Sequence, residues 1–470
     1  MAKKKYTSYQ PSRTLWQEEI PSHWQETDLR MVFSENKERN TGLIERNLLS
    51  LSYGKLKRKD IDNAIGLVPA SFEGYQIIGN GYIVLRFTDL QNDKKSLRVG
   101  YCPERGIITN AYVAIAPKEN TFSKYYYYQL HFLDTIKYFY NLGGGVRQSL
   151  SYKEFGRETV IVPEPAEQIK IAAFLDYKLA KIDRFVRKKK QLIKLLNEQK
   201  AAIINQAVTK GLDLNVKKNQ VENLWIDELP ENFSLEGFNK NVFLKHGFQF
   251  REEHFSKEGI KVVKITQLSP DGKLRLENAS FVPKNYQELF QNIIIKEGDV
   301  LMALTGGTIG KIIRADINDE ILLQNYRVGN FYPLNDKLNK DFLYWQLKSE
   351  FIQSQMKFFV RETGQPNIGK GDFRKIQLII PPIEEQDKIV EFITSETEVI
   401  DKMISTIEKE ITLTQEYKTG LIAEAVTGKI DVRDFEIPEA LEDESYEDIE
   451  EELSLAAEGE AEYPNEDTEE

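Results

Sequence analysis

Pro163-Glu164-Pro165-Ala166-Glu167-Gln168-Ile169-Lys170-Ile171-Ala172-Ala173-Phe174 returns 218 residues later as Pro381-Pro382-Ile383-Glu384-Glu385-Gln386-Asp387-Lys388-Ile389-Val390-Glu391-Phe392. The match runs without a gap to Ala207-Val208-Thr209 against Ala425-Val426-Thr427. It closes at Asp213 against Asp431, with 17 identities in 51 positions. Upstream, Leu15-Trp16-Gln17-Glu18-Glu19-Ile20-Pro21 matches Leu224-Trp225-Ile226-Asp227-Glu228-Leu229-Pro230 at an offset of 209. Each half of the chain therefore opens with one short motif and closes with one long segment. Such self-similarity signals a duplicated structural unit.

The closing segments read as long helices. In the first, Leu175, Leu179, Ile182, Val186, Ile193, Leu196, Ile203 and Ala207 recur at alternating spacings of four and three, with Lys189 and Lys200 in the remaining seam positions. In the second, Ile393, Ile400, Ile404, Ile407, Ile411, Leu421 and Ala425 keep the register, interrupted by Thr397, Thr414 and Lys418. A seam held this long argues for a coiled coil. No proline or glycine breaks 166–209, and only Gly420 intrudes in the second copy. Some 43 residues at ~1.5 Å each span roughly 65 Å, longer than a small domain. Two matched seams in one chain favour pairing with each other over a homodimer. Antiparallel pairing would give a pseudo-two-fold axis and hold the intervening segments at opposite ends.

Those segments predict mixed α and β structure. Gly81–Phe87, Gly106–Ile115 and Thr159–Val162 read as strands in the first half. Ile260–Ile265, Asp299–Leu304, Lys311–Arg314 and Ile376–Ile380 do so in the second. Lys124–Tyr140 and Asp341–Phe359 read as helices, and the run Tyr125–Tyr128 as one helical turn with a packed face. The fold class expected is α+β.

The chain has 470 residues, 41% hydrophobic and 29% charged, and a formal net charge of −11. That length exceeds one ordinary domain. The sign of the charge misleads. Between Phe435 and Glu470 lie 17 Asp and Glu and no Lys or Arg, so residues 1–434 carry +6 once those 17 are taken from −11. A basic body permits a nucleic-acid partner, while the acidic stretch has the composition of a disordered tail. No apolar run reaches membrane-spanning length, and Met1-Ala2-Lys3-Lys4-Lys5 has no apolar stretch behind it. Cys102 is the only cysteine, which excludes an internal disulfide and fits a reducing cytoplasm.

Catalytic patterns are missing. Adenine methylation calls for Asn, Asp or Ser before Pro-Pro and an aromatic after it; here the run is Ile380-Pro381-Pro382-Ile383. Gly306-Gly307-Thr308-Ile309-Gly310-Lys311-Ile312 lacks the spacing and the terminal hydroxyl of a phosphate-binding P-loop. It reads instead as a turn between strands whose bare backbone suits a phosphate. His23, His131, His246 and His254 are scattered without a metal-ligand pattern. The sequence describes a reader that leaves chemistry to partners.

The Pro-Pro-x-x-Glu-Gln lead into the second long helix (Pro163-Glu164-Pro165 with Glu167-Gln168 in the first, a mild departure), the opening motif before each insert, Gly306–Lys311 with Gln324-Asn325, and Gly145-Val146-Arg147-Gln148-Ser149-Leu150 together resemble the specificity subunits of type I restriction–modification systems. The first insert departs from the pattern, lacking a Gly-Gly-Thr-Ile-Gly counterpart. The resemblance covers about 1–432. It implies a first target-recognition domain at 1–160, a first repeated helix at 161–212, a linker at 213–228, a second target-recognition domain at 229–380, a second repeated helix at 381–432 and a disordered acidic tail at 433–470. It implies double-stranded DNA, two modification (methyltransferase) subunits and restriction subunits as partners. It places S-adenosylmethionine, ATP and magnesium on those partners and none in this chain. A cytoplasmic bacterial or archaeal setting follows. Two rivals remain: the specificity component of a fused restriction–methylation enzyme, and a coiled-coil scaffold without DNA.

Arg or Lys suits guanine in the major groove and Asn or Gln suits adenine, with other cations on phosphates. The candidate DNA contacts in the first insert are Lys57, Arg58, Arg86, Lys94, Lys95, Arg98, Arg147 and Gln148. In the second they are Lys264, Gln267, Lys311, Arg327, Gln365 and Lys370, with Gln324 and Asn325 beside them. Any one of these alone also fits a solvated surface charge.

Overall fold

The computed structural model describes residues 4–62, 69, 71–88, 90, 97–142, 149–360 and 366–436. These form two compact units, one from the chain up to Lys188 together with the chain from Glu410 onward, the other from Lys189 to Lys409. Among the described residues, no helix is long and apolar enough to cross a membrane.

Both long segments are helical, Pro165–Lys210 and Ile383–Val426. Their shared motif acts at the N-terminus, where the chain enters the helix. Gln168 and Gln386 are buried and each donates its amide to the carbonyl of the motif's first proline, Pro163 at 2.9 Å and Pro381 at 2.8 Å. Glu167 accepts from Tyr6 Oη at 2.5 Å and meets His23 Nε2 at 2.9 Å, while Glu385 accepts from Asn232 Nδ2 at 2.7 Å. His23 and Asn232 each follow the opening motif by two residues, so the same carboxylate position ties down the same turn in both halves.

In the first unit, Leu175, Leu179 and Ile182 share a core with Leu421, Ile422, Ala425 and Val426. Asp183 accepts from Lys418 Nζ at 2.5 Å, and Phe174 meets Phe435 at 5.1 Å, so the two helical stretches run antiparallel here. In the second unit, Ile204, Ala207 and Val208 share a core with Ile389 and Ile393, and Lys200 Nζ donates to Asp401 at 2.6 Å. Asp183 and Asp401 are equivalent positions of the repeat, as are Lys200 and Lys418, so the ion pairs are crossed copies of one another. Leu196, Ile400 and Ile407 are buried; Val186, Ile193, Ile404 and Ile411 are half-buried.

The opening motif forms a hairpin in each half: Tyr9–Pro11 pairs with Glu19–Pro21, and Lys218–Gln220 with Glu228–Pro230. The stretch 213–228, expected as a linker, therefore contains a strand, because the second copy of the motif needs a partner for its backbone. Behind each hairpin, a strand pairs with the one leading into the long helix: Gln25–Asp28 with Thr159–Val162, and Ser234–Gly237 with Gln377–Ile380.

The inserts, unlike in sequence, share a strand plan. In the first unit, 33–35, 113–117, 83–85 and 99–101 lie side by side and antiparallel, within an eight-stranded sheet that continues through 55–59, 48–52, 106–108 and 76–78. In the second, 242–246, 328–333, 300–303 and 312–314 repeat that order, and 280–282, 260–263 and 322–324 form a separate three-stranded sheet. In each, the remaining part mixes the two senses: 48–52 is antiparallel to 55–59 and parallel to 106–108, and 260–263 is antiparallel to 280–282 and parallel to 322–324.

Several sequence expectations shorten. Gly106–Ile115 is two strands, Gly106–Ile108 and Val113–Pro117, separated by a turn at Asn110-Ala111. Lys124–Tyr140 ends as an α-helix at Thr135, because Lys137 takes φ +61°. Asp341–Phe359 is two helices, Lys340–Lys348 and Glu350–Phe359, parted by the buried Ser349, whose hydroxyl caps the second. The tyrosine run does pack inward, with Tyr125, Tyr126 and Tyr128 buried. The stretch expected as a tail begins docked: Arg433 pairs with Asp431, and Phe435 packs on Phe174 and Tyr177. Residues 437–470 lie outside the described residues.

Candidate nucleic-acid interface

In the second unit, three distant segments are stitched into one concave surface. Residues 246–250 run beside 324–327: Phe248 N donates to Gln324 O at 3.1 Å and Tyr326 N to Phe248 O at 3.0 Å. The approach is close enough that a Cβ on Gly247 would stand 1.9 Å from the Gln324 carbonyl oxygen. Residues 304–306 run beside 366–368: Gly306 N donates to Pro366 O at 2.9 Å and Ile368 N to Leu304 O at 3.0 Å.

Between these strips lies a cleft of about 590 Å³, lined by His246, Gln249, Thr305, Tyr326, Arg327, Asn367 and Lys370 among others. Gln249, Tyr326, Arg327, Asn367 and Lys370 are exposed. The Tyr326 ring stacks on His246 at 5.1 Å and 25°. Burial holds His246 below the ordinary imidazole range; Lys370 pushes the same way and the Tyr326 carbonyl opposes. Gln249, Tyr326 and Arg327 also border a second hollow of about 350 Å³, which reaches Lys264. The cleft thus offers a guanidinium, an ammonium, two carboxamides and an exposed ring within one hollow, which is the donor and acceptor set that base edges call for.

Sequence candidates fare unevenly against this geometry. Arg327, Lys370 and Lys264 line the two hollows, though Lys264 Nζ is engaged by Ser280 Oγ at 2.8 Å and lies 4.2 Å from the Phe255 ring centre. Gln267 is buried and its side chain accepts from Lys264 N at 3.0 Å, so it shapes the backbone instead of facing a ligand. Gln324 is likewise internal, donating to Lys245 O and Val328 O at 2.9 and 2.7 Å. Asn325 accepts from Arg327 N at 3.3 Å. These two residues build the turn that presents Tyr326 and Arg327. Lys311 is half-buried at the far end of the glycine loop and does not line the cleft. Gln365 lies outside the described residues.

In the first unit, strands 48–52 and 55–59 form a ribbon whose turn, Tyr53-Gly54, takes φ of +47° and +77°. Tyr53 is exposed at the tip, and Lys55, Lys57 and Lys59 are exposed at alternate positions, which puts them on one face of the strand. Arg58 turns to the other face, where Nε donates to Glu104 at 2.7 Å and lowers that carboxyl below its ordinary value. Arg98 corrects the sequence reading most sharply. It is fully buried, donating to the carbonyls of Arg86 and Thr88 at 3.1 and 2.8 Å and to Tyr140 Oη at 3.1 Å. A guanidinium buried this way is a structural cross-link, and Arg86 is half-buried beside it. Lys94, Lys95, Arg147 and Gln148 lie outside the described residues.

His246, Gln249, Tyr326 and Asn367 were not expected from the sequence. They sit on three segments more than 40 residues apart, and the backbone pairings of Phe248 with Gln324, Leu304 with Arg327 and Ile368 with Leu304 bring them together. Among the described residues, no group of His, Cys, Asp and Glu is placed to hold a metal.

Residues 238–413 match the type I restriction modification DNA specificity domain. The chain is 27% identical over 337 residues to the type I restriction enzyme MjaVIII specificity subunit of Methanocaldococcus jannaschii, covering 70% of this chain and 76% of that one. It is 22% identical over 342 residues to the EcoBI specificity subunit of Escherichia coli, covering 70% of each. A chain from a solved structure of complex assembly and conformational transition in a type I R-M system shares the fold, with a TM-score of 0.63 at 12% identity over 87% of this chain and 99% of that one. The domain match and both relatives agree: the chain carries a type I restriction modification DNA specificity domain and over most of its length is similar to the specificity subunits of type I restriction–modification systems.

Proposed function

We propose that this subunit reads a split, asymmetric DNA sequence, each unit contributing the contacts to one half. The observation that carries the reading is the cleft of the second unit, where Arg327, Lys370, Gln249 and Asn367 converge from separate segments on one open hollow. The basic ribbon 55–59 is the corresponding candidate in the first unit, with Lys57 central to it. Divergent sequence on a shared strand plan is what two different half-sites require. The long helices pair as an antiparallel coiled coil within each unit, and the crossed pairs Asp183–Lys418 and Asp401–Lys200 support this.

The outer faces of the helices support partner docking. Phe185, Leu413 and Tyr417 are exposed in the first unit, and Leu192, Leu195, Val399 and Met403 in the second. Apolar side chains left on a helix surface at this density mark an interaction face. Two modification subunits, one per repeat, carry S-adenosylmethionine and the methylating site, and restriction subunits carry ATP and magnesium. This chain is the non-catalytic component and works in the cytoplasm.

Arg327→Ala is expected to relax one half of the recognised sequence and leave the other intact. Losing a bidentate contact costs about 1–3 kcal/mol of discrimination at one base pair. Methylome sequencing of a host carrying the variant measures it. An unchanged motif, or equal loss in both halves, removes the cleft from the reading role.

A further inference from the structure

Glycine in a folded chain normally has an internal reason: a positive φ, or a neighbour that leaves no room for Cβ. Among the described glycines, only Gly307, Gly369, Gly371 and Gly420 combine a φ outside the positive region with no atom within 4 Å of where a Cβ would stand. Gly420 lies in the second long helix. The other three lie on the two loops stitched together at Gly306–Pro366 and Leu304–Ile368. Gly369 has φ −127°, open to any residue. Gly371 sits inside a short helix, Lys370–Phe373, where glycine costs about 1 kcal/mol relative to alanine. Among the described residues nothing asks for these hydrogens, which points to a demand from outside.

We infer that the rim formed by Gly307, Gly369 and Gly371 is a contact strip for the sugar–phosphate backbone of duplex DNA, kept bare so that the duplex can approach main chain to main chain. This rests on the reading of the adjoining cleft and extends it to how the duplex is seated. Glycines let a protein backbone come close to a phosphate chain without a side chain between. The charge nearby fits: Lys370 is exposed between two of the glycines, and Lys357 borders the hollow of about 480 Å³ beside Gly307. Glu350 also borders that hollow and opposes an anion there, and Asp372 is occupied, accepting from Gly369 N at 3.1 Å. A backbone contact positions the duplex and carries no sequence information itself.

Gly307→Val, Gly369→Val and Gly371→Val, each in the subunit co-purified with its modification partners, test this. The probes are a duplex bearing the sequence methylated in the host and a scrambled duplex of equal length. The expected result is at least about a tenfold loss of affinity for the target duplex, with thermal unfolding and partner content unchanged. The slope of affinity against salt stays as in the parent, because no cation has been removed. Lys370→Ala, by contrast, lowers that slope by about one. Gly420→Ala is the control and leaves DNA affinity unchanged. Three valine variants that bind like the parent overturn the inference, and so do variants that lose the partner subunits, since the strip would then be a protein interface. If Arg327→Ala and Lys370→Ala are also silent, the cleft reading falls with it; if they are not, only the glycine strip does.

Discussion

Ile400→Asp is expected to abolish both assembly and methylation at every site, not at one half-site. Ile400 is 4% exposed on the second long helix, next to the Asp401 that pairs with Lys200. Removing a buried isoleucine side chain costs about 2–5 kcal/mol, and a carboxylate left without a partner adds several more. A unit of ordinary stability, roughly 5–15 kcal/mol, does not absorb that. Ile182→Asp, at the equivalent position of the repeat, is expected to do the same through the first unit, where Ile182 shares a core with Leu421 and Ile422. Leu195→Asp separates folding from docking: Leu195 is 59% exposed, so the subunit should fold and any loss should fall on partner binding. Circular dichroism melting and co-purification with the partners measure both. An Ile400→Asp subunit with the parental melting temperature and normal methylation would show that this position is not in a buried seam.

Gly247→Ala should be nearly as damaging, though it adds one methyl group. The new Cβ would stand 1.9 Å from the Gln324 carbonyl oxygen. That oxygen cannot step aside cheaply, because it accepts from Phe248 N while the Gln324 side chain is held by Lys245 O and Val328 O. Overpacking against fixed backbone costs roughly 3 kcal/mol, and here the strain falls on the segments that carry Gln249, Tyr326 and Arg327. Hydrogen exchange is the measurement of choice. Amides of Phe248 and Tyr326 should lose protection while those of the first unit do not, and the half-site read by the second unit should disappear from the methylome. Unchanged protection at both amides would mean the close approach is not a constraint.

The frame of the molecule was legible because duplication writes it twice. The seam isoleucines and the Gln168 and Gln386 positions could be compared between copies, and chance rarely repeats a pattern over 51 residues. What lay beyond reach were contacts set by distant sequence. Arg98 reads as a surface cation until the carbonyls of Arg86 and Thr88 and the Tyr140 hydroxyl close around it. Gln267 and Gln324 have the chemistry of base contacts but spend it on their own backbone. The cleft residues were missed for the same reason inverted: Gln249 and Asn367 stand in unremarkable polar stretches, and only strand pairing makes them neighbours. The shared strand plan was hidden because a pleated sheet constrains which faces are apolar and leaves the exposed residues free to differ.

The first unit's main core joins Leu175 and Leu179 to Leu421, Ile422 and Ala425, side chains separated by more than 240 positions of chain. On the ribosome this becomes a delay. Synthesis proceeds at about 5–20 residues per second, so the emerging N-terminal region waits roughly ten seconds to a minute for the residues that complete it. Throughout that interval the first long helix lacks the part of its cover that Leu421, Ile422, Ala425 and Val426 supply. The nascent chain therefore passes through a stage in which chaperone capture or association with a neighbouring nascent copy competes with self-closure, and slowing translation of the second half should lower the yield of soluble subunit even though no residue has changed.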